Sequence, residues 1–454
     1  MNIVVVGAGY VGLVTSACLA EIGHCITCVD QDAARIASLK EGQVPIFEPG
    51  LDQLVEAGRS AHRLTFSTDL SVAIKDADAV FMAVGTPARK TDGRADVSNV
   101  VEAARQIAKA CRSRLVVIVK STVPVGTCDR IERTIREINP ALDFSVVSNP
   151  EFLREGMAIS DFQQPDRVII GLEHSRDKSI LRQIYSTYEF RGIPIIYTSR
   201  RTAELTKYAA NAFLAMKVAF TNEMADLCDL SGADVSDLTL GIGLDHRVGP
   251  HFFAPGPGFG GSCFPKDTVA LIRTAQDLAG EARIVEAVIA ANDRRKRTMA
   301  LKVVTACGGS VVGKTIALLG LTFKKNTDDV RDSPSLAIAE ALVDLGAIVR
   351  GYDPQGMRKA RAQIHSIDFA EDLWAACSEA DAVVIATDWD AFRDLDLARL
   401  RATLKRPVIC DLRNVINPIA ALDHGFSYVG VGRGSVRPNH DRPFRRAVSV
   451  RAGG

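Results

Sequence analysis

The sequence predicts an α/β protein: two doubly wound parallel-sheet domains joined by a central helical region that contains one long helix. Three observations predict it. Short apolar runs alternate with helix-length segments from residue 3 to 148, and again from 315 to 411. Between these regions, Thr202 to Ser231 keeps apolar residues at helical spacing, with Gly232 as a stop. Each alternating region opens with a strand running into glycine, and its next strand ends on an aspartate, Asp30 in the first and Asp353 in the second.

The elements follow in order. Ile3 to Val6 is a buried-strand run, Leu13 to Ile22 a helix stopped by Gly23, and residues 25–29 a strand closing on Asp30. A strand at 79–84, a helix at 98–111, a strand at 115–119, a helix at 126–137 and a strand at 144–148 continue the alternation, the mark of a doubly wound sheet. After residue 199 strand signals fade, and a second helix is expected from Ile284 to Val304. Alternation resumes at 315–320, with strands near 347–352, 382–386 and 407–411, as a second, smaller Rossmann-like unit. The expected divisions are 1–199, 200–304, 305–432 and a tail, 433–454. That tail has no apolar periodicity and is expected to be disordered.

Composition narrows the function. The 454 residues carry 55 basic and 54 acidic side chains, a net charge of +1, so no overall field attracts nucleic acid or an acidic membrane. Residues 430–454 hold six arginines and one aspartate, which leaves the rest of the chain at −4. The ten cysteines are scattered, mostly within apolar runs, and fit a reducing, cytoplasmic compartment better than a disulfide framework. Met1 to Ala20 is uncharged, yet it lacks a basic leading region and is broken by three glycines. Neither an export signal nor a membrane span is expected there. No metal site is expected.

Gly7-x-Gly9-x-x-Gly12 follows a strand and opens a helix, and Asp30 closes the next strand. Gly7 permits the tight turn, Gly9 lets backbone approach a pyrophosphate, and Gly12 lets helix and strand pack closely. The helix N-terminus supplies N–H donors to the anion. Asp30 suits ribose hydroxyls and repels a 2′-phosphate, which favours NAD over NADP.

Two other patterns are decoys. Gly308 to Thr315 matches a phosphate-loop pattern by letter, but its strand comes after Lys314 instead of before it, so Lys314 is expected as an exposed turn residue. Cys25 and Cys28 form a C-x-x-C on a strand, where positions three apart face opposite sides.

Residues 255–267 read Pro-Gly-Pro-Gly-Phe-Gly-Gly-Ser-Cys-Phe-Pro-Lys-Asp. A core cysteine has no use for such a loop. Glycines let backbone approach a ligand, and a nearby cation such as Lys266 is expected to lower the thiol pKa. Cys263 is therefore expected to be a catalytic nucleophile.

With these residues in view, the chain resembles the nucleotide-sugar 6-dehydrogenases, the UDP-glucose/GDP-mannose dehydrogenase family. The likeness rests on the 7–12 turn with Asp30, Ser148 to Gly156 (SNPEFLREG), Lys207 to Asn211 (KYAAN), 258–267 (GFGGSCFPKD), and Phe323-Lys324-Lys325 with Arg331. It covers all but the tail. The loop sequence is most similar to the branch acting on UDP-glucose. GDP-mannose and N-acetylated UDP-hexosamine enzymes share the first domain and the cysteine, and they remain alternatives.

The resemblance implies a four-electron oxidation of the sugar C6 alcohol to a carboxylate with two NAD and one water, through a thiohemiacetal and a thioester on Cys263. It makes 1–199 the NAD domain, 200–304 the dimerisation and catalytic-loop region, and 305–432 the UDP-sugar domain. It implies that Lys207 and Asn211 flank the reacting oxygen, that Thr122 and Asp267 position water and substrate hydroxyl, and that Glu151 is the base for hydrolysis. Lys207 and Asn211 are four apart on a predicted helix, hence on one face.

Implied cofactor contacts are Gly7, Ala8, Gly9, Tyr10, Val11, Gly12, Asp30, Arg35, Thr86, Thr122, Glu155 and Arg331. Implied substrate contacts are Glu151, Phe152, Leu153, Arg154 and Glu155, Lys207, Asn211 and Arg247, then Pro255, Gly256, Gly258, Phe259 and Gly260, and finally Phe323, Lys324 and Arg413. The cationic members suit a diphosphate. Arg247 is implied to reach a neighbouring subunit's site, so a homodimer or larger homo-oligomer is expected. A non-catalytic nucleotide-sugar binder is the rival of another class. It would be expected to lose Cys263, Lys207 or Asp267, and all three are present.

Overall fold

The computed structural model describes residues 1–433, so all but Arg433 of the basic tail lies outside the described residues. The first sheet has eight strands: β1 (Asn2–Val6), β2 (Cys25–Val29), β3 (Leu64–Ser67), β4 (Ala79–Met82), β5 (Leu115–Val119), β6 (Phe144–Ser148), β7 (Val168–Gly171) and β8 (Ile195–Thr198). Their spatial order is β3-β2-β1-β4-β5-β6-β7-β8. The second sheet has β9 (Thr315–Leu319), β10 (Ile348–Tyr352), β11 (Asp368–Phe369), β12 (Ala382–Ile385), β13 (Val408–Asp411) and β14 (Ser427–Val429), in the order β11-β10-β9-β12-β13-β14.

Both sheets are doubly wound: each separates two apolar cores, one per face. Strands β1, β4 and β5 are almost wholly buried, which is why they read as unbroken apolar runs. One junction departs from the parallel expectation, since β6 meets β7 antiparallel at Ser148 and Gly171. The short strands β3, β7 and β8 were not expected. Each has only four residues, and β8 is a half-exposed edge strand.

The long helix spans Arg200–Ser231, with the Ser199 side chain accepting from the Thr202 N–H and Gly232 ending it in left-handed conformation. At about 1.5 Å per residue it is roughly 48 Å long. Its first turns pack on β6 and β7. Its last turns place Ala225 and Cys228 in the core of the second sheet, beside Met299 and Val303 of the helix Arg283–Ala306. One rod therefore belongs to both units.

The glycine turn after β1 is sterically required. Gly7 has φ +107°, and a methyl group on Gly12 would lie 1.8 Å from the Gly7 carbonyl oxygen. The corresponding place in the second sheet is built differently. Asp353 is buried, and its carboxylate accepts from the backbone N–H of Leu321, Thr322, Gln355 and Gly356, the Thr322 hydroxyl and the Trp389 indole.

The two decoys resolve on geometry. Cys25 is exposed and Cys28 buried on the same strand. Lys314 precedes β9 as expected, but it is half-buried instead of exposed, and its ammonium donates to the Cys307 carbonyl at the end of the preceding helix. Among the described residues no helix is long and apolar enough to cross a membrane.

Candidate active site

Functional side chains gather at the carboxyl ends of β1, β2, β4, β5 and β6, the edge where open α/β sheets bind ligands. At the Gly7–Gly12 turn, Gly9 has no atom within 4 Å of where a Cβ would stand, so the surface there is open to a ligand. Asp30 Oδ2 accepts from the Ala8 N–H at 2.7 Å, and Arg35 Nη1 lies 3.2 Å from the same oxygen. Tyr10 and Val11 pack partly on the first core. Thr86 donates to the Thr122 carbonyl at 2.8 Å, bringing the β4 and β5 ends together. A bare glycine turn, an open helix N-terminus and a ribose-sized carboxylate fit a dinucleotide.

The turn is also tied to the loop 151–156. The buried Glu48 carboxylate takes the Tyr10 hydroxyl and the N–H groups of Gly156 and Ala158, at 2.6 and 2.7 Å for the last two. No local pattern marked Glu48.

A cavity of about 920 Å³ adjoins this edge, bordered by Glu151, Lys207, Asn211, Cys263, Phe323 and Lys324. Lys207 and Glu151 are 3% and 7% exposed and their charged ends are 3.1 Å apart. Asn211 Nδ2 donates to Asp267 Oδ2 at 2.6 Å, and Lys266 pairs with the other Asp267 oxygen. Phe152 to Glu155 and Gly260 border the same cavity.

Cys263 is the N-cap of the helix Phe264–Asp277, where aligned N–H groups favour a negative sulfur. The expected lowering of its pKa by Lys266 needs correction. Burial pushes the thiol up, with Glu151 and Asp267 adding to the rise, and the cation that opposes them is Lys207. Lys266 is spent on Asp267. Burial also acts against the Lys207 ammonium, yet Glu151, Cys263 and Asp267 together outweigh it and raise its pKa.

The glycine loop is clamped between the long helix and the second domain. Asn222 and Asn292, both buried, accept from the N–H groups of Gly256 and Phe259, and the buried Arg295 donates to the Gly256 carbonyl. The Gly261 N–H donates to the Arg331 carbonyl, and a methyl group on Gly260 would lie 2.3 Å from the Asp332 carbonyl oxygen. Phe259 fills a small core with Ala215, Ala219 and Val288, so its side chain serves packing and does not border the cavity. Arg413 lies against Gly256 and donates to the Phe323 carbonyl, and Pro255, Gly256 and Gly258 stand back from the cavity with it.

Glu155 joins the two domains. It accepts from Ser262 at 2.8 Å and Thr327 at 3.2 Å, with Arg331 at 3.7 Å. Burial and the Asp329 charge raise its pKa against the pull of Ser262, Arg331 and Lys324. Arg331 is otherwise paired with Asp329. Arg247 is 79% exposed, bound to Asp245, and outside the cavity of its own chain.

Several polar groups of the site escaped the sequence reading: Glu48, Asn222, Asn292, Arg295, Glu204 and Lys120. Glu204 stands one turn before Lys207 and binds the N–H groups of Gly126 and Cys128 at 2.6 and 2.8 Å. Lys120 had a readable signal: a lone charge directly after a buried parallel strand sits at the ligand-binding edge.

Three family models cover the chain: the NAD-binding domain of the UDP-glucose/GDP-mannose dehydrogenase family over residues 1–189, its central domain over 201–294, and its UDP-binding domain over 317–418. A UDP-glucose 6-dehydrogenase of Rhizobium meliloti is 54% identical, covering 95% of this chain and 100% of that protein. One of Pseudomonas aeruginosa is 43% identical, covering 95% and 98%. A solved UDP-glucose dehydrogenase from Pyrobaculum islandicum superposes with a TM-score of 0.87 at 39% identity, covering 95% and 97% of the two chains. The UDP-D-ManNAc dehydrogenase of Pyrococcus horikoshii gives 0.82 at 28%, covering 96% and 100%. A glycine turn with its aspartate, a cysteine loop facing a buried lysine, and three consecutive family domains agree: the chain belongs to the UDP-glucose/GDP-mannose dehydrogenase family.

Proposed function

We propose that this NAD-dependent dehydrogenase oxidises the C6 alcohol of UDP-glucose to the carboxylate of UDP-glucuronate, through a thiohemiacetal and then a thioester on Cys263. The observation that carries the reading is the meeting of a half-buried thiol with a buried ammonium, an amide and a carboxylate around one cavity, with a second carboxylate holding the amide from behind. Simple alcohol oxidation needs no nucleophile. A thiol that captures the aldehyde allows a second oxidation before it escapes.

NAD, when bound, supplies the hydride acceptor for each oxidation. The 7–12 turn, Asp30, Arg35, Thr86, Thr122, Glu155 and Arg331 would hold it. Lys207 and Asn211 donate to the C6 oxygen as it gains negative charge, and their buried setting strengthens that effect. Asp267 fixes the Asn211 amide and, with Thr122, orients hydroxyl and water. Glu151 takes a proton from the water that hydrolyses the thioester. In this reading NAD occupies 1–199, the catalytic loop belongs to 200–304, and UDP binds 305–432. Phe323 and Lys324 face the nucleotide, with Arg413 behind them on the Phe323 carbonyl, and Arg154 adds charge for the diphosphate. The named substrate of the relatives supports UDP-glucose over other sugars.

The test is NADH formed per UDP-glucose consumed at completion. Two are expected. One would overturn the thioester route and leave a two-electron dehydrogenase. Turnover with GDP-mannose or a UDP-N-acetylhexosamine but not UDP-glucose would reassign the sugar.

The same reading makes the chain a cytoplasmic homodimer or larger homo-oligomer. Its ten cysteines are unpaired, as a reducing compartment keeps them. Leu205, Phe213, Phe220 and Leu227, spaced eight, seven and seven along the long helix, are 43–58% exposed, an apolar stripe suited to a second copy. Arg247 then completes the partner's site. Sedimentation should give at least twice the chain mass, and a Phe213→Glu, Phe220→Glu double variant should give smaller species with poor turnover. A monomeric native enzyme with full activity would remove the proposal.

A further inference from the structure

Lys120 is a buried charged group that this chemistry leaves without a task. It follows β5 and is 6% exposed. A lysine ammonium has three N–H donors, and among the described residues its hydrogen-bond acceptor is Asn149 Oδ1 at 3.1 Å, with the Phe162 ring centroid 6.0 Å away. That oxygen is already taken by the Tyr185 hydroxyl. Asn149 is itself fully buried and pinned through its amide to the Ile169 carbonyl. Holding the asparagine therefore does not require a lysine.

Lys120 borders the active-site cavity together with Glu151, Lys207 and Tyr185. Burial pushes its ammonium down to about 8, with Glu151 attracting and Lys207 repelling the charge. Cys263 in turn feels Lys207, Glu151 and Asp267. Glu151 thus acts on both the thiol and this second lysine. A buried cation with donors to spare beside a buried carboxylate is a setting that binds water.

We propose that Lys120 is a positioning residue for hydrolysis, holding with Glu151 the water that attacks the Cys263 thioester. The inference rests on the thioester reading above. In the step, the water oxygen bonds to the acyl carbon as one proton passes to Glu151. The carbon–sulfur bond breaks, its electron pair leaves with sulfur as the Cys263 thiolate, and the acid ionises to the product carboxylate. Lys120 keeps its own proton throughout and orients the water towards Glu151.

The experiment is a single turnover of UDP-glucose with excess NAD, followed by rapid quenching and intact-mass measurement, on native enzyme and Lys120→Met. The variant should release two NADH per site as the native enzyme does. It should then turn over about 10²-fold more slowly, with a glucuronyl adduct accumulating on Cys263. Lys120→Arg, which keeps the charge, should recover part of the hydrolysis rate. Lys120→Met should also melt at or above the native temperature, because it removes a charge that burial disfavours.

Native turnover by Lys120→Met, or loss of the NADH burst without an adduct, would overturn the inference while leaving the thioester reading standing. A native enzyme that gives one NADH per site would overturn the reading itself. Should Lys120→Met not fold, Lys120→Gln carries the same measurements.

Discussion

Cys263→Ser is expected to lower UDP-glucose turnover by at least about 10³-fold while leaving the fold intact. A serine hydroxyl is the smaller and far weaker nucleophile, because it ionises far less readily than a thiol. Cys263 is half-buried at the start of a helix, its side chain makes no capping hydrogen bond there, and serine differs from it by one atom. Stability should therefore change by no more than about 0.5 kcal/mol. Near-native melting with abolished turnover, measured by NADH absorbance, is the expected pair of results. A serine variant that still makes two NADH per sugar at the native rate would show that the sulfur forms no intermediate.

Lys207→Met carries the second large effect, and it falls on stability as well as rate. Lys207 and Glu151 are both buried, with their charges 3.1 Å apart. Removing one member of such a pair strands the other, at a cost of about 3–5 kcal/mol. The same change removes the donor proposed for the developing oxyanion, worth roughly 10²–10³ in rate. Because Lys207 has a raised folded-state pKa, its contribution to stability is fully present below the unfolded value near 10.5 and is lost only as pH rises through the folded value. The melting difference between native and Lys207→Met should then stay constant from pH 6 to about 9. Lys207→Met melting with the native enzyme would contradict the ion-pair account.

Lys120 has the opposite sign. Its pKa is depressed from 10.5 to about 8, so its burial destabilises the fold below pH 8 by on the order of 3 kcal/mol. That penalty is relieved as pH rises from about 8 towards 10.5. Two lysines on one cavity thus differ because one has a carboxylate at hydrogen-bond distance and the other an amide.

The legible parts of this molecule were those with local signatures. The β1–turn–β2 unit could be read because steric and backbone demands confine positions 7 and 12 to glycine and because β1 is almost wholly buried and β2 mostly so. The Cys263 loop stood out because its composition suits nothing but close approach, and Lys207 and Asn211 share a helix face whatever the tertiary structure. What escaped was set by distant partners. Asn222, Asn292 and Arg295 are single polar residues within helices, and their partners lie 33 to 39 positions away on the glycine loop. Glu204 reaches across 76 and 78 positions to the turn before another helix. The thiol's pKa direction also misread, since adjacency in sequence pointed to Lys266 when the facing cation comes from the long helix.

The saturated carboxylate of Asp353 bears on timing. With six internal donors satisfied, it has nothing left for a ribose, so among the described residues the Asp30 edge is the one dinucleotide berth of this type. On the proposed thioester route, two successive oxidations would share a single berth, vacated and refilled between them. The half-oxidised sugar would have to outlast that exchange, and a covalent bond to Cys263 would set its residence time independently of nucleotide affinity. On this view the sulfur acts as a clock as well as a nucleophile: the lifetime of the adduct must exceed the dwell of the spent cofactor.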